Sequence, residues 1–455
     1  MKLIFYGGAR WVTGANYLLT NDTVKIMIDC GLFQGKKYAE DLNYRPFQFN
    51  PKEIDFVAVT HSHIDHIGRL PKMYKEGFRG KVFATEATQD IMTAALPDNL
   101  ERIVEEAERA GHPPLFTEAD VSGLLSLVEG VSYNHPIEVT DSVKITFHDA
   151  GHILGSSIVE INWQDADGTK KIFFSGDIGN PPTPLLRPTE FVKAADYLVV
   201  ESAYGDRVHE EKEERRKRLV DVIKKTIAQK GVLIIPAFAI ERTQELLFEM
   251  NELVNAKTVP PVPVFVDSPL AIQMTAIYKK HADYFNQWAT YLINSGDNVF
   301  DFPGLKITKS AEESKAINNV PPPKVIIAGS GMSHGGRVLY HEQRYLSDPN
   351  SAILFVGYQV DGSLGRHIQR GDKEVTILGQ PVKVNCRVES ITSYSSHADQ
   401  KTLINWTKAA QVDGKLKRVF IVQGEESPGL TLSNLIRENL GVEAVVPLEG
   451  ESFEL

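Results

Sequence analysis

A cluster of potential metal ligands, HSHIDH at residues 61–66, directly follows the apolar segment IDFVAVT and constrains this chain more than any other feature. Alternate side chains of an extended segment point to the same side. We therefore expect His61, His63 and Asp65 to converge, with His66 turning in as the next helix begins. Imidazole suits zinc, iron or manganese, and carboxylate oxygen suits harder ions and bridging positions. The pattern predicts two adjacent cations at the end of a strand.

Three further candidate ligands lie at strand ends elsewhere in the sequence. His152 occupies the glycine-flanked turn AGHILGSS, Asp177 ends the segment FFSGD, and Asp29 ends the segment KIMID. A lone histidine or aspartate in a turn often serves only as a capping residue. The HSHIDH cluster has no such explanation, because packing against a core does not call for three neighbouring histidines.

Composition limits the class of protein. The chain has 455 residues, enough for two domains or more, and its 42% hydrophobic content is ordinary for a globular protein. No apolar run approaches the ~20 residues of a membrane span, so no membrane partner is expected. The net charge of -10 argues against a general nucleic-acid coat. The two cysteines are far apart and the amino terminus reads as a first strand, which predicts a cytoplasmic protein.

The order of predicted elements indicates one domain inserted into another. Short strands and turns dominate up to about Tyr204, apart from a helical section at 87–128. Buried apolar strands then alternate with long helices, which is typical of a parallel, doubly wound sheet. Short strands return from about Cys386. The predicted fold class is α/β.

The metal motifs resemble those of the metallo-β-lactamase superfamily: HSHIDH, the turn around AGHILGSS and the SGD segment occur in that family's order. The resemblance implies a four-layer αββα sandwich with two zinc ions at the strand ends. It also implies the role of each residue: one metal bound by His61, His63 and His152, a second bound by Asp65 and His66, Asp177 bridging the two, and Asp29 orienting a ligand.

The inserted region resembles the β-CASP domain of nucleases, through VESAYGDR, PAFAIERTQELL, VFVDSPLA, AGSGMSHGGRVLYH and SYSSHADQ. The likeness is to the RNA-cleaving branch that includes the nuclease subunit of the polyadenylation cleavage machinery. It implies a discontinuous metallo-β-lactamase domain at 1–205 and 386–455, and a β-CASP domain at 206–385. It further implies that Glu201 holds His397, which faces the scissile phosphate and, with Asp65, completes the catalytic set.

Several residues are candidates for RNA-phosphate contacts. The loop GSGMSHGGR follows a predicted strand and opens a helix, so its glycines allow backbone amides to approach a phosphate. A serine pair next to His397 offers hydroxyl donors. The candidates are Ser330, Gly331, Met332, Gly335, Gly336, Arg337, Ser395 and Ser396. Arg207, Arg242, Arg337 and Arg366 are candidates for lining an interdomain cleft that holds the RNA.

The chain departs from the family at Gln423. RNA nucleases of this family usually have a histidine in a VHGE turn as a ligand of the second metal, whereas this turn reads IVQGEES. An amide oxygen is a poorer zinc donor than imidazole. We expect one firmly held metal and a second that is labile, completed by water or filled by manganese, with Gln423 a weak ligand or none.

Three functions remain open on the sequence. The first is a metal-dependent ribonuclease that cuts single-stranded RNA in the interdomain cleft, endonucleolytic with added exonucleolytic activity, in RNA processing or decay. The second is an RNA-binding pseudo-nuclease subunit, suggested by Gln423. The third is a small-molecule metallohydrolase, which the inserted domain disfavours. RNA preference and oligomeric state do not follow from the sequence.

Overall fold

A computed structural model describes residues 1–35, 41–166, 168–209, 212–357, 359–360, 362–412 and 415–455. Contacts divide the chain into two compact units. The first unit contains Met1–Thr183, Arg187–Val208 and Ser396–Leu455, and the second contains Pro184–Leu186 and His209–Ser395. Among the described residues, no helix has both the length and the apolar character needed to cross a membrane.

The return of the chain to the first unit occurs later than the sequence suggested. Residues Arg387–Ser390 form a strand that pairs in parallel with Ala352–Phe355, inside the sheet of the second unit. The sequence had predicted a return at residue 386. The first short strand after residue 386 still belongs to the inserted sheet. Its local sequence pattern does not differ from that of the strands that follow it.

The strands of both units are short and numerous. In chain order they are β1 (Lys2–Gly7), β2 (Asn16–Thr20), β3 (Lys25–Ile28), β4 (Phe56–Ala58), β5 (Lys81–Thr85), β6 (Val128–Val131), β7 (Ile137–Thr140), β8 (Val143–Asp149), β9 (Ser157–Asp165), β10 (Gly168–Phe174), β11 (Tyr197–Glu201), β12 (Val232–Pro236), β13 (Val264–Asp267), β14 (Leu305–Ile307), β15 (Lys324–Ala328), β16 (Ala352–Phe355), β17 (Glu374–Ile377), β18 (Gln380–Lys383), β19 (Arg387–Ser390), β20 (Arg418–Val422), β21 (Glu443–Val445) and β22 (Ser452–Glu454).

The helices lie between these strands. In chain order they are α1 (Ile64–Ile67), α2 (Leu70–Lys75), α3 (Glu86–Ala110), α4 (Glu118–Leu125), α5 (Lys212–Ala228), α6 (Arg242–Asn255), α7 (Pro269–Lys280), α8 (Gln287–Asn294), α9 (Ala311–Ala316), α10 (Val338–Tyr345), α11 (Leu364–Gln369), α12 (Gln400–Ala410) and α13 (Glu426–Leu440).

The first unit is a sandwich of two mixed sheets. One sheet has the order β22-β1-β2-β3-β4-β5-β6 and the other β21-β20-β11-β10-β9-β8-β7. Alternate residues of both sheets, such as Phe5 and Phe174, meet in one shared core. The outer face of the first sheet packs on α1 to α4, and that of the second packs on α12 and α13 through residues such as Trp406. The predicted αββα fold is confirmed.

The second unit is built on a parallel sheet. Its order is β14-β13-β15-β12-β16-β19, and every neighbouring pair in it runs parallel. Successive residues of β12, such as Leu233 and Ile234, are all buried, so both faces of the sheet are covered. This matches the predicted doubly wound architecture. A separate hairpin consists of β17 and β18.

The predicted helical section at 87–128 is two helices. Helix α3 ends at Ala110, and Gly111, with a left-handed φ of 75°, caps its last turn. Helix α4 then begins with a capping box between Thr117 and Asp120. The break between the two helices is explained by the Gly111 cap, by the two prolines after His112 and by the capping box that starts α4.

Backbone contacts fix the HSHIDH segment against the end of β3. The Cys30 N–H donates to the carbonyl of His66 at 2.7 Å, and the Leu32 N–H donates to that of Ile64 at 3.0 Å. Gly31 lies between them, where a Cβ would stand 1.5 Å from the carbonyl oxygen of Asp65. Only glycine allows the two backbones to approach this closely.

We predict that Gly31→Ala destabilises the first unit and displaces the segment after β4. The backbone must move to admit the methyl group, at a cost of about 1–3 kcal/mol in the free energy of unfolding. Denaturant unfolding and metal retention after dialysis measure both effects. Gly429→Ala is the matched control, because a Cβ there meets nothing closer than 3.4 Å within helix α13. Equal unfolding free energies for the two variants would contradict this account.

Candidate metal centre

Four side chains from three separate segments of the first unit converge on one point. His61 and His63 follow β4, His152 lies in the turn between β8 and β9, and Asp177 follows β10. Each offers one ligand atom, and these atoms all lie within 4.8 Å of one another. Residues widely separated in the sequence thus form one compact cluster of potential metal ligands.

Four of the six distances among these atoms match the edges of a tetrahedral cation site. The Nδ1 of His63 is 3.1 Å from the Nε2 of His61 and 3.3 Å from the Nε2 of His152. The Oδ2 of Asp177 is 3.4 Å from the first of those Nε2 atoms and 3.5 Å from the second. A tetrahedron with zinc–ligand bonds of about 2.0–2.1 Å has edges of about 3.3–3.4 Å. The donor set and its dimensions therefore suit zinc.

Hydrogen bonds behind the cluster orient two of the imidazoles. The Nδ1 of His152 is 3.1 Å from the carbonyl oxygen of Ser396, so Nδ1–H donates there and Nε2 keeps its lone pair for a metal. The Nδ1 of His61 is 3.1 Å from the Oγ1 of Thr60. That hydroxyl in turn donates to the Oδ2 of Asp29 at 2.7 Å. Each ring therefore presents its Nε2 to the centre.

Asp29 connects several parts of this network. Its fully buried carboxylate accepts the Thr60 backbone N–H at 2.7 Å and lies 2.8 Å from the Nδ1 of His66. The sequence predicted that Asp29 orients a ligand, and it contacts His66 directly and His61 through Thr60. A carboxylate behind a metal-binding histidine fixes its tautomer and raises its basicity.

The residues expected to hold a second metal lie on the other side of Asp177. The Nε2 of His66 is 3.4 Å from the Oδ1 of Asp177 and 3.9 Å from the Oδ2 of Asp65. The side-chain nitrogen of Gln423 lies 2.8 Å from the same Nε2 and 2.9 Å from the same Oδ1. Asp65 does not align with His61 and His63, because helix α1 begins at Ile64 and ends the extended segment.

Next to the four-atom cluster, Glu201 holds His397. Glu201 ends β11 and is fully buried, and its Oε2 lies 3.1 Å from the Nδ1 of His397. Burial lowers the pKa of this imidazole, but the nearby carboxylates of Glu201 and Asp177 outweigh that effect and raise it to about 9. The other carboxylate oxygen of Glu201 accepts the Ile178 N–H, which fixes the pair to the chain segment that carries Asp177.

The candidate phosphate-binding loop lies in the second unit, between β15 and α10. Within it, Ser330 N–H donates to the carbonyl of Gly335, and the Ser330 hydroxyl accepts the His334 N–H. Arg337 uses its guanidinium for the buried carboxylate of Asp267 and for the carbonyls of Thr308 and Lys309.

The other candidate phosphate contacts fall on either side of the division between the units. Gly331, Met332 and Gly336 lie in the same loop, Ser395 ends the second unit and Ser396 reopens the first. Among the candidate arginines, Arg242 is buried and pairs with Glu245.

Thr60 is the functional residue that sequence reasoning missed. Its hydroxyl touches Asp29, His61 and His66, and its carbonyl accepts both the N–H and the hydroxyl of Ser157. The available signal was its position directly before the histidine cluster. A threonine at the end of an apolar β segment is so common, however, that the position alone does not identify the role.

We predict that Thr60→Val lowers metal affinity by about 10–100-fold, the usual cost of losing a group that orients a ligand. Valine keeps the shape of threonine but removes the hydroxyl between Asp29 and His61. Zinc release to a competing chelator measures the change. Thr60→Ser is the matched control, since it retains the hydroxyl and should retain most of the affinity. Unchanged affinity in Thr60→Val, or an equal loss in both variants, would contradict this role of the hydroxyl.

Three family profiles match successive parts of the chain. That of the metallo-beta-lactamase superfamily domain matches residues 18–178, and that of the Beta-Casp domain matches residues 243–368. A third, described as the Zn-dependent metallo-hydrolase RNA specificity domain, matches residues 381–447.

Curated relatives match over nearly the whole chain. Ribonuclease TTHA0252 of Thermus thermophilus is 36% identical over 96% of this chain and 96% of its own length. The transcription termination factor FttA of Methanosarcina mazei is 32% identical over 97% of this chain and 70% of its own length. A crystal structure of a protein of unknown function from Enterococcus faecalis covers 100% of this chain and 99% of its own, with a TM-score of 0.56 at 13% identity, and shows the same fold.

Proposed function

The chain belongs to the β-CASP family of the metallo-β-lactamase superfamily, and on that premise we propose that it is a metal-dependent ribonuclease acting on single-stranded RNA. The observation that carries the proposal is the four-atom cluster with a carboxylate-held histidine beside it. The matched RNA specificity domain and the 36% identical ribonuclease support RNA as the substrate. The proposed setting is cytoplasmic, where Cys30 and Cys386 remain free thiols.

We propose zinc as the metal, held by His61, His63, His152 and Asp177. Three imidazole nitrogens and one carboxylate oxygen form a donor set that zinc favours. A metal in such a site supplies Lewis acidity toward a phosphoryl oxygen and activates water as a nucleophile. Thr60 and Ser396 support the site by fixing two of the imidazoles.

His397 is the proposed proton donor. Its Nδ1 is held by Glu201, which leaves the second ring nitrogen to carry a proton toward the leaving oxygen of the phosphodiester. Glu201 acts as a positioning residue, because it is fully buried and touches the reacting groups only through His397. Asp177 lies 3.8 Å from the same ring and adds negative charge that favours the protonated form.

The proposed RNA contacts are those predicted from the sequence, in the loop at 330–337 and at Ser395 and Ser396. Gly335 supports the proposal, because a Cβ at this position would meet nothing within 4 Å and the backbone between β15 and α10 is therefore open there. Arg337 supports it less, since Asp267 already engages its guanidinium. The proposed cleavage is internal to the strand, with digestion from an end as a secondary activity.

We predict that His397→Ala lowers RNA cleavage by about 10²–10⁴-fold, the usual contribution of a positioned general acid. Its metal content should stay at the wild-type level, because His397 is not among the four clustered ligand atoms. Single-turnover cleavage of labelled single-stranded RNA, in parallel with metal analysis, measures both quantities. Unchanged cleavage by this variant would remove His397 from the mechanism.

Two further variants complete the experiment. Replacing His61 and His63 together by alanine should abolish both metal retention and cleavage. His135→Ala is the matched control, since this exposed histidine lies outside the centre and should leave both intact. A circular RNA substrate tests internal cleavage, because it has no ends. A metal-loaded wild-type protein that leaves linear and circular RNA uncut would favour the pseudo-nuclease alternative.

A further inference from the structure

The side chain of Gln423 occupies the side of Asp177 where the family resemblance places a second metal. It follows β20 and is buried, with its backbone N–H donating to the carbonyl of Gly8 at 2.7 Å. Its side-chain nitrogen contacts the Nε2 of His66 and the Oδ1 of Asp177, at 2.8 and 2.9 Å. Those are the two atoms that a second cation would have to bind.

The partners of the amide determine its orientation. The Nδ1 of His66 lies 2.8 Å from the buried carboxylate of Asp29, so in the neutral ring, the form that could bind a metal, this nitrogen carries the proton and Nε2 is an acceptor. Asp177 Oδ1 is also an acceptor. The NH2 group of Gln423 has two N–H bonds, one for each acceptor. A reversed amide would direct its oxygen at the Asp177 oxygen from 2.9 Å, where the two would repel.

The contact with His66 is incompatible with metal binding at the same atom. A neutral imidazole nitrogen has one lone pair, and a hydrogen bond and a metal bond use it in the same direction. The amide N–H therefore takes the only ligand position that His66 offers, since the other nitrogen faces Asp29. The residues of the second site therefore do not fit a cation, whereas the four clustered ligand atoms do.

We propose that this protein binds a single metal ion and that the Gln423 carboxamide takes the structural place of the second. The proposal rests on the metal site assigned in the proposed function. Gln423 would neutralise no charge, but its two N–H bonds would satisfy the His66 nitrogen and the Asp177 oxygen that a second metal would otherwise bind. Gln423 would thus determine how many metal ions the protein binds.

The same contact gives Gln423 a positioning role at the remaining site. It holds Oδ1 of Asp177, and the other carboxylate oxygen, Oδ2, faces His61 and His152 at 3.4 and 3.5 Å. Asp177 is thereby restricted to one oxygen for the first metal. Removing the amide donor should loosen that oxygen, which affects the affinity of the first site even though Gln423 is not a ligand.

The test is the number of metal ions bound per full-length chain. Wild-type protein, stripped with a chelator and titrated with zinc or manganese by calorimetry, should saturate at one ion and show no second event. Gln423→His should bind two, because an imidazole in this position can accept a metal and frees the Nε2 of His66. Gln423→Leu, similar in size but without donor or ligand atoms, should remain at one ion with weaker affinity.

Spectroscopy provides a readout that does not depend on activity. With manganese, the electron paramagnetic resonance of the wild type should be that of an isolated ion, and Gln423→His should show a spin-coupled pair. Two firmly bound ions in the wild type, or an uncoupled signal in Gln423→His at two equivalents, would overturn the proposal. RNA cleavage is measured separately, so a wild type with one ion and no cleavage would contradict the proposed function alone.

Discussion

The carboxylate of Asp177 is shared between two sides of the candidate centre, and the arrangement of the other groups depends on this sharing. One oxygen faces the Nε2 atoms of His61 and His152, and the other accepts from the Gln423 amide near His66. A buried carboxylate without such partners would be costly. In the proposed function a metal would complete the first side, whereas protein hydrogen bonds already satisfy the second side.

The fold explains why these groups meet. The two sheets of the first unit pack face to face, the segments that follow β4 and β10 carry the histidine cluster and Asp177, and Glu201 ends β11. A second layer of buried polar contacts then fixes the ligands, with Asp29 and Thr60 at its centre. Because these contacts are buried, their hydrogen bonds are stronger than exposed ones and hold the rings in one orientation.

The sequence predicted much of this structure because the relevant signals are local. The HSHIDH segment, the apolar strands and the doubly wound pattern after Tyr204 are all readable within short windows. One local rule ends early: alternation stops at His63 because a helix begins at Ile64, and Asp65 reaches the side of His66 from that helix. The hydrogen bonds of Gln423 could not be predicted, because its two partners lie 246 and 357 residues away in sequence and no short window contains them.

The most direct measurement is a crystal structure of the zinc-loaded protein with anomalous scattering recorded at the zinc absorption edge. The account predicts one anomalous peak, within about 2.0–2.2 Å of the Nε2 of His61, the Nδ1 of His63, the Nε2 of His152 and the Oδ2 of Asp177. Electron density should show the Gln423 amide still hydrogen-bonded on the far side of that carboxylate. A second peak of comparable height beside His66, or a sole peak away from these four atoms, would contradict the account.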